Sequence, residues 1–316
     1  MVNDTNISNP KKPVLLVALG GNALIRKGQG GTIEEQFENL RIPVRQIAKL
    51  SLDYTVIITH GNGPQVGNLL MQQECCDAVP KLPLEILVAQ TEGHLGYMIE
   101  STLDEELMAL GIEFRPLVTL ITYVVVDKND PAFQHPTKPI GPTFTMEEAA
   151  KLPYPTIKTS RGYRRVVASP RPITIIEKRE IKKLIEMDFI VICCGGGGIP
   201  VIREGRGFTG VDAVVDKDFA SSILAKEVGV DIFIIATDVQ GAMLNFGTTR
   251  QTLLRKITLG QVSDYIKQGH FQSGSMLPKV EAAAQFISEG GKRAAITSIE
   301  GIEKAVEGEG GTQFVK

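Results

Sequence analysis

Six short runs rich in β-branched residues punctuate the chain: "VLLVALG" from Val14, "TVIITHG" from Thr55, "RPLVTLITYVVV" from Arg115, "FIVICCGGGG" from Phe189, "DIFIIAT" from Asp231 and "RAAITS" from Arg293. They are nearly continuously apolar rather than alternating, which is the pattern of strands buried on both faces of a mainly parallel sheet. Helical patterns fill the gaps. Three helix starts are predicted by capping boxes at Thr32 with Glu35, Thr145 with Glu148 and Thr258 with Gln261, where two side chains satisfy the first free amides. Segment 84–110 reads as one long helix with Ile99, Leu103, Leu107 and Leu110 on its core stripe. Pro43 should kink or split the first helix. The alternation of strand and helix indicates an α/β fold.

Segment 127–172 breaks the alternation with prolines and basic residues ("DKNDPAFQHPTKPIGP", "RGYRRVVASPRP") and is expected to protrude as an insertion within a domain spanning 14–316. Residues 1–13 are polar and read as a flexible tail. At 316 residues, with 34 Lys plus Arg against 36 Asp plus Glu, the chain is large enough for a substantial core. Its net charge of −2 argues against a nucleic-acid partner held through phosphates. No run approaches the ~20 apolar residues of a membrane span, so no membrane association and a cytoplasmic location are expected. The four cysteines form two vicinal pairs, Cys75–Cys76 and Cys193–Cys194, a spacing that suits neither zinc nor a redox Cys-x-x-Cys. They read as reduced and structural.

Chemistry enters where strands end. Three runs pass straight into glycine clusters: Gly20, Gly21 and Asn22; Gly61, Asn62 and Gly63; and Gly195 to Gly198. In a parallel sheet all three turns lie at the carboxyl edge, where open α/β folds bind ligands. Glycine lets main-chain amides approach an anion, and the following helix start adds about half a positive charge. The dinucleotide fingerprint, the P-loop and the protein-kinase signatures are all missing.

Lysines supply the second signal. Lys138 sits in "HPTKPIG", Lys217 between Asp216 and Asp218 at a helix start, and Lys279 just after a glycine loop at another. Cations there oppose the helix dipole, so ligand charge should compensate. Phosphoryl transfer needs negative charge stabilised on the moving group and on the donor and acceptor oxygens, which lysines, glycine amides and Mg²⁺ supply. His60, His94 and His135 read as packing or hydrogen-bonding groups rather than catalysts. Arg161, Arg164 and Arg165 read as a solvated charge run.

The strings "VALGGNA", "THGNGPQVGNLL", "NDPAFQHPTKPIGP", "CCGGGGIPVI", "VDKDFASSILA" and "GHFQSGSMLPKVEAA" make the chain resemble the carbamate kinases of the amino-acid kinase family. The resemblance implies a three-layer αβα sandwich around an open, mainly parallel sheet, with a small protruding subdomain, in a homodimer. It also implies the reaction ATP + carbamate ⇌ ADP + carbamoyl phosphate with Mg²⁺, commonly run toward ATP in arginine metabolism. By the same resemblance Gly20, Gly21 and Asn22 hold the transferred phosphoryl, and Gly61, Asn62 and Gly63 the carbamate side. Lys138 reaches in from the protrusion, Lys217 bridges phosphoryl oxygens, Asp218 orients the lysines and Lys279 contacts nucleotide phosphates. Gly196, Gly197, Asp238, Asn245, Gly274 and Met276 fall on the nucleotide side, and no metal ligands are assigned. Departures from the family pattern occur at Glu92, where many relatives carry Gln, and over 157–165. Two alternatives stay open: a kinase of the same fold for another small acid, and a sensor that binds nucleotide or carbamoyl phosphate without turnover.

Overall fold

The computed structural model describes residues 12–26, 28–159 and 162–316. Eight strands form the central sheet: β1 (Val14–Leu19), β2 (Thr55–His60), β3 (Leu117–Thr119), β4 (Ile190–Ile192), β5 (Ile232–Thr237), β6 (Lys256–Thr258), β7 (Arg293–Ser298) and β8 (Thr312–Val315). Their order is β6-β8-β7-β5-β1-β2-β4-β3, and every pairing is parallel except β7 with β8. Leu16 sits opposite Ile57 on one side and Phe233 on the other.

Both faces of the sheet are covered, which is why the strand sequences do not alternate. Leu15, Val17 and Leu19 point to one face, where they join Val44 and Ile47 of α1 (Ile33–Leu50) and, beyond α2 (Gly63–Glu74), Ile99, Leu103 and Leu107 of α3 (Leu84–Ala109). Val14, Leu16 and Ala18 point to the other. There they meet Ile181 of α4 (Lys178–Glu186), Leu224 of α5 (Lys217–Val228) and Phe286 of α6 (Met276–Ser288). The Phe233 and Phe286 rings meet edge to face at 5.6 Å between centroids. Truncating such a ring to Ala costs about 3–5 kcal/mol. The architecture is thus a three-layer αβα sandwich around an open, mainly parallel sheet.

All three capping boxes form as expected, each with reciprocal side-chain and backbone bonds. Pro43 does not split its helix: α1 runs through it as one element, because Leu40, Val44 and Ile47 on either side are locked into the core. Leu110 falls off the α3 stripe, lying at the helix C-cap and exposed, while Ile99, Leu103 and Leu107 are buried. The run from Arg115 is two strands rather than one. Leu117–Thr119 stays in the main sheet, the chain turns at Thr122, and Tyr123–Val126 joins a second sheet with Ile199–Glu204, Gly207–Gly210 and Pro172–Ile175.

Within 127–172 the strands Lys138–Phe144, Thr156–Thr159 and Gly162–Val167 make a small antiparallel sheet. It touches α2 backbone to backbone: a Cβ on Gly67 would lie 1.9 Å from the Gly141 Cα. Arg164 donates to the Gly141 carbonyl at 3.0 and 2.7 Å, and Arg165 pairs with Glu74 of α2 while stacking 4.0 Å from the Tyr154 ring centroid. These arginines therefore organise the insertion and its docking instead of forming a free solvated face; Arg161 lies outside the described residues. So do residues 1–11 of the expected tail, whereas Lys12 pairs with Asp188 at 3.2 Å and the Pro13 carbonyl accepts the Thr55 amide at 3.0 Å. No described helix is long and apolar enough to cross a membrane. Cys193 and Cys194 are buried as expected of small hydrophobes, but Cys75 and Cys76 are exposed at the end of α2; all four are free thiols.

Candidate active site

Parallel strands deliver their carboxyl ends to one edge, and there the glycine turns meet. The Gly20 amide donates to the Ala236 carbonyl and the Gly61 amide to the Leu19 carbonyl, both at 3.0 Å. These bonds tie the turns after β1 and β2 to neighbouring strand ends. A Cβ on Gly61 would stand 3.4 Å from the Gly21 nitrogen and 3.5 Å from the Lys217 Cδ, so the two glycine turns and the Lys217 stem share one small space. Gly21, Asn22 and Ala23 form a 3₁₀ turn. The Asn22 side chain lies outside the described residues.

The start of α5 is the hub of the site. Asp216 caps the helix, its Oδ1 accepting the Asp218 amide at 2.9 Å, as the Asp-before-helix pattern dictates. Its Oδ2 accepts from the Lys138 Nζ, which arrives from the insertion. Asp218 has one oxygen on the Lys217 Nζ and the other 3.0 Å from the Lys279 Nζ of α6. Three lysines from distant parts of the chain thus gather on two carboxylates at the amino end of one helix. Asp216, missed as a site residue by sequence reasoning, was signalled by its N-cap position beside Lys217.

Electrostatics follow from burial. Burial works to raise the Asp218 carboxyl, but the charges of Lys217 and Lys279 win and hold it well below the ordinary carboxylate range. Asp216 behaves the same way, with Lys138 overcoming burial. Burial also dominates at Lys217 and pulls its ammonium below the ordinary lysine range in spite of Asp218. Lys279 moves the other way: burial is outweighed by Asp218 and Asp216, with Asp238 adding to the pull. The cluster is a charged network under low local dielectric, where an incoming anion interacts strongly.

The remaining site residues fall into two groups. Asn62 is buried and donates to the Thr91 Oγ1 of α3 at 2.8 Å, and a Cβ on Gly196 would collide with the Asn62 side chain at 2.1 Å. Gly197 packs on the Val215 carbonyl. Gly196 and Gly197 are therefore placed against the Asn62 turn. Gly63 opens α2. Asp238, at the end of β5, is exposed and accepts the Thr237 hydroxyl at 3.2 Å, with its charge felt by Lys279. Asn245 is exposed in a left-handed conformation with φ 51°, and Gly274 is exposed with φ 78° just ahead of Met276, the first residue of α6. No hydrogen bond or ion pair among the described residues joins Asn245 or Gly274 to the lysines. His60 is buried and held down to about 4 by burial, hence neutral, while His94 and His135 are exposed and do not pack in the core.

The arrangement can hold a small anion between ammonium groups and main-chain amides, and known proteins resemble it closely. A model of the amino acid kinase family matches residues 13–298. A carbamate kinase of Thermococcus kodakarensis is 48% identical over 312 residues, covering 96% of this chain and 99% of that protein. One from Clostridium perfringens is 45% identical over 313 residues, covering 96% and 99%. The solved carbamate kinase of Giardia lamblia bound to AMP-PNP superposes with a TM-score of 0.87 at 39% identity, covering 96% of this chain and 99% of that one. The chain belongs to the amino acid kinase family, among its carbamate kinases.

Proposed function

We propose that Lys138, Lys217 and Lys279 are the groups that carry the phosphoryl unit in ATP + carbamate ⇌ ADP + carbamoyl phosphate. The observation that supports this most is the sharing of Asp218 by Lys217 and Lys279, with Lys138 on Asp216 two residues away. A carbamate oxygen attacks the γ-phosphorus, the bond to the bridging oxygen breaks, and ADP leaves with that electron pair. Carbamate already carries its negative charge, so no general base is needed at the acceptor, in keeping with a neutral His60. Lysine charge and glycine amides then act where charge shifts between oxygens, the main catalytic demand of such transfers. In this reading Gly20, Gly21 and Asn22 face the moving group, Gly61, Asn62 and Gly63 the carbamate, and Asp238, Asn245, Gly274 and Met276 the nucleotide. Gly196 and Gly197, expected on the nucleotide side, rest against the Asn62 turn and the Val215 carbonyl and in this reading back that turn instead.

The described residues hold no group of three or more His, Cys, Asp or Glu side chains placed to hold a metal, and both site aspartates are committed to lysines. Magnesium would then arrive with the nucleotide and offset negative charge on its phosphates. The physiological direction is toward ATP, which suits a mixed anhydride with a strong tendency to transfer its phosphoryl. Segment 127–172 acts as a subdomain that brings Lys138 in. The protein works in the cytoplasm as a homodimer, a state favoured by the exposed apolar side chains Tyr97, Met108, Leu110 and Phe114 on and after α3. The test is ATP formation from carbamoyl phosphate, ADP and Mg²⁺ by the purified protein. A folded sample that makes none, or that prefers another acyl phosphate, contradicts the reading.

A further inference from the structure

Glu92 is a carboxyl group in the core of the molecule with no cation beside it. It lies on α3 at 1% exposure and makes no ion pair among the described residues. Its Oε2 accepts the Thr122 amide at 3.0 Å, whereas its Oε1 is buried without a hydrogen-bond partner. The group it borders is the glycine turn after β4: a Cβ on Gly195 would lie 2.6 Å from the His60 Nε2 and 2.9 Å from the Glu92 Cγ. The preceding residue of α3, Thr91, holds the side chain of Asn62, against which Gly196 rests. One turn of α3 therefore stands behind both glycine turns.

A carboxylate in that place would set a negative charge directly behind a cradle built for anions. A carboxylic acid would instead accept from Thr122 and keep a donor for the other side. We propose that Glu92 is a positioning residue for the acceptor side of the site, an uncharged group that supports the Gly195–Gly197 turn through its packing on Gly195 and its bond to Thr122, whose hydroxyl accepts the Cys194 amide, and that spares bound substrate a repelling charge. The titratable groups that face it are His60 from β2, Cys193 and Cys194 after β4, and Glu177 ahead of α4. Burial raises Glu92 far above the ordinary carboxylate value, Glu177 reinforces the shift, and the Thr122 and Gly195 amides only partly offset it. His60 is neutral, and the charged group that bears on it is Lys217. Among the described residues no cation compensates an ionised Glu92.

The inference rests on the placement of the glycine turns proposed above, so its test has a readout independent of turnover. The full-length protein, wild type and E92Q, is compared by difference infrared spectroscopy at neutral pH. The expected result is the carbonyl stretch of a protonated carboxyl in wild type, absent from E92Q. A linked readout is thermal unfolding. An acid whose folded-state value is raised binds more protons folded than unfolded above its ordinary value of 4.5, so stability falls as pH rises from there. Wild-type Tm should decline with pH relative to E92Q. In steady-state assays E92Q keeps KM for carbamoyl phosphate within about threefold of wild type, while E92L, which loses the Thr122 bond, raises it by about tenfold, the worth of one good hydrogen bond. Absence of the protonated band, or a Tm difference flat in pH, overturns the uncharged state. Equal KM in all three proteins, or equal losses in E92Q and E92L, overturns the positioning role.

Discussion

At the carboxyl edge of the sheet Lys217 and Lys279 share Asp218 at side-chain exposures of 9%, 15% and 3%. At the amino edge Lys292 pairs with Asp231 at 75% and 23%, and Lys12 with Asp188 at 29% and 41%. The amino edge also has a cavity of about 380 Å³ lined by Lys12, Val14, Ile185, Val228, Gly229 and Lys292. Residue types do not separate the two. Helix direction does: Val228 and Gly229 are the carboxyl end of α5, so that hollow meets helix carbonyls, whereas the lysine trio meets a helix start and glycine amides. Burial does the rest, because exposed pairs are screened by water and worth little, while buried ones keep their field for a ligand.

The sharpest way to break this contrast is to remove one buried ammonium. Lys217→Met should lower kcat by about 10² to 10³ with the fold retained, measured as ATP formation alongside a melting curve. Next in size is a change that removes no charge. Gly67→Ala places a methyl group on the Gly141 backbone and displaces the strand that carries Lys138, so kcat/KM should fall by ~100-fold while far-ultraviolet circular dichroism stays native. A normal rate in that variant would separate the insertion from catalysis.

How far the sequence foretold these regions depended on the range of the interaction. The six apolar runs, the capping boxes at Thr32, Thr145 and Thr258, and the start of α5 at Lys217 were readable because each rests on residues a few positions apart. The break at Thr122 was not, since the partner that holds its amide is Glu92, thirty residues back. The roles of Arg164 and Arg165 were hidden for the same reason: their partners are the Gly141 carbonyl and Glu74. The lysine cluster was legible as three separate anomalies, but its organisation by Asp216 and Asp218 is a tertiary fact.

A milder test uses pH. Burial pulls Lys217 below the ordinary 10.5, so it loses its proton earlier than a free lysine as pH rises. The alkaline limb of kcat/KM, which reports the free enzyme, should therefore fall below that value, and a limb at or above it would deny that burial outweighs the pull of Asp218. At the small end lie the exposed lysines. Lys292→Met should leave KM for carbamoyl phosphate within about twofold, because Asp231 keeps the Val14 amide at 2.8 Å. Lys49→Met, which breaks only an exposed 3.4 Å pair with Glu303, should be equally quiet in the same assay. A large effect from either would place a working anion site away from the glycine turns.

The most direct measurement is a crystal structure of the protein with a non-hydrolysable ATP analogue and magnesium, read as the distances from the Lys138, Lys217 and Lys279 Nζ atoms to the terminal phosphoryl oxygens. The account predicts that all three come within about 3 Å of that one group or of the oxygens it passes between. Lysines still locked on Asp216 and Asp218, with the phosphoryl bound elsewhere, would contradict it.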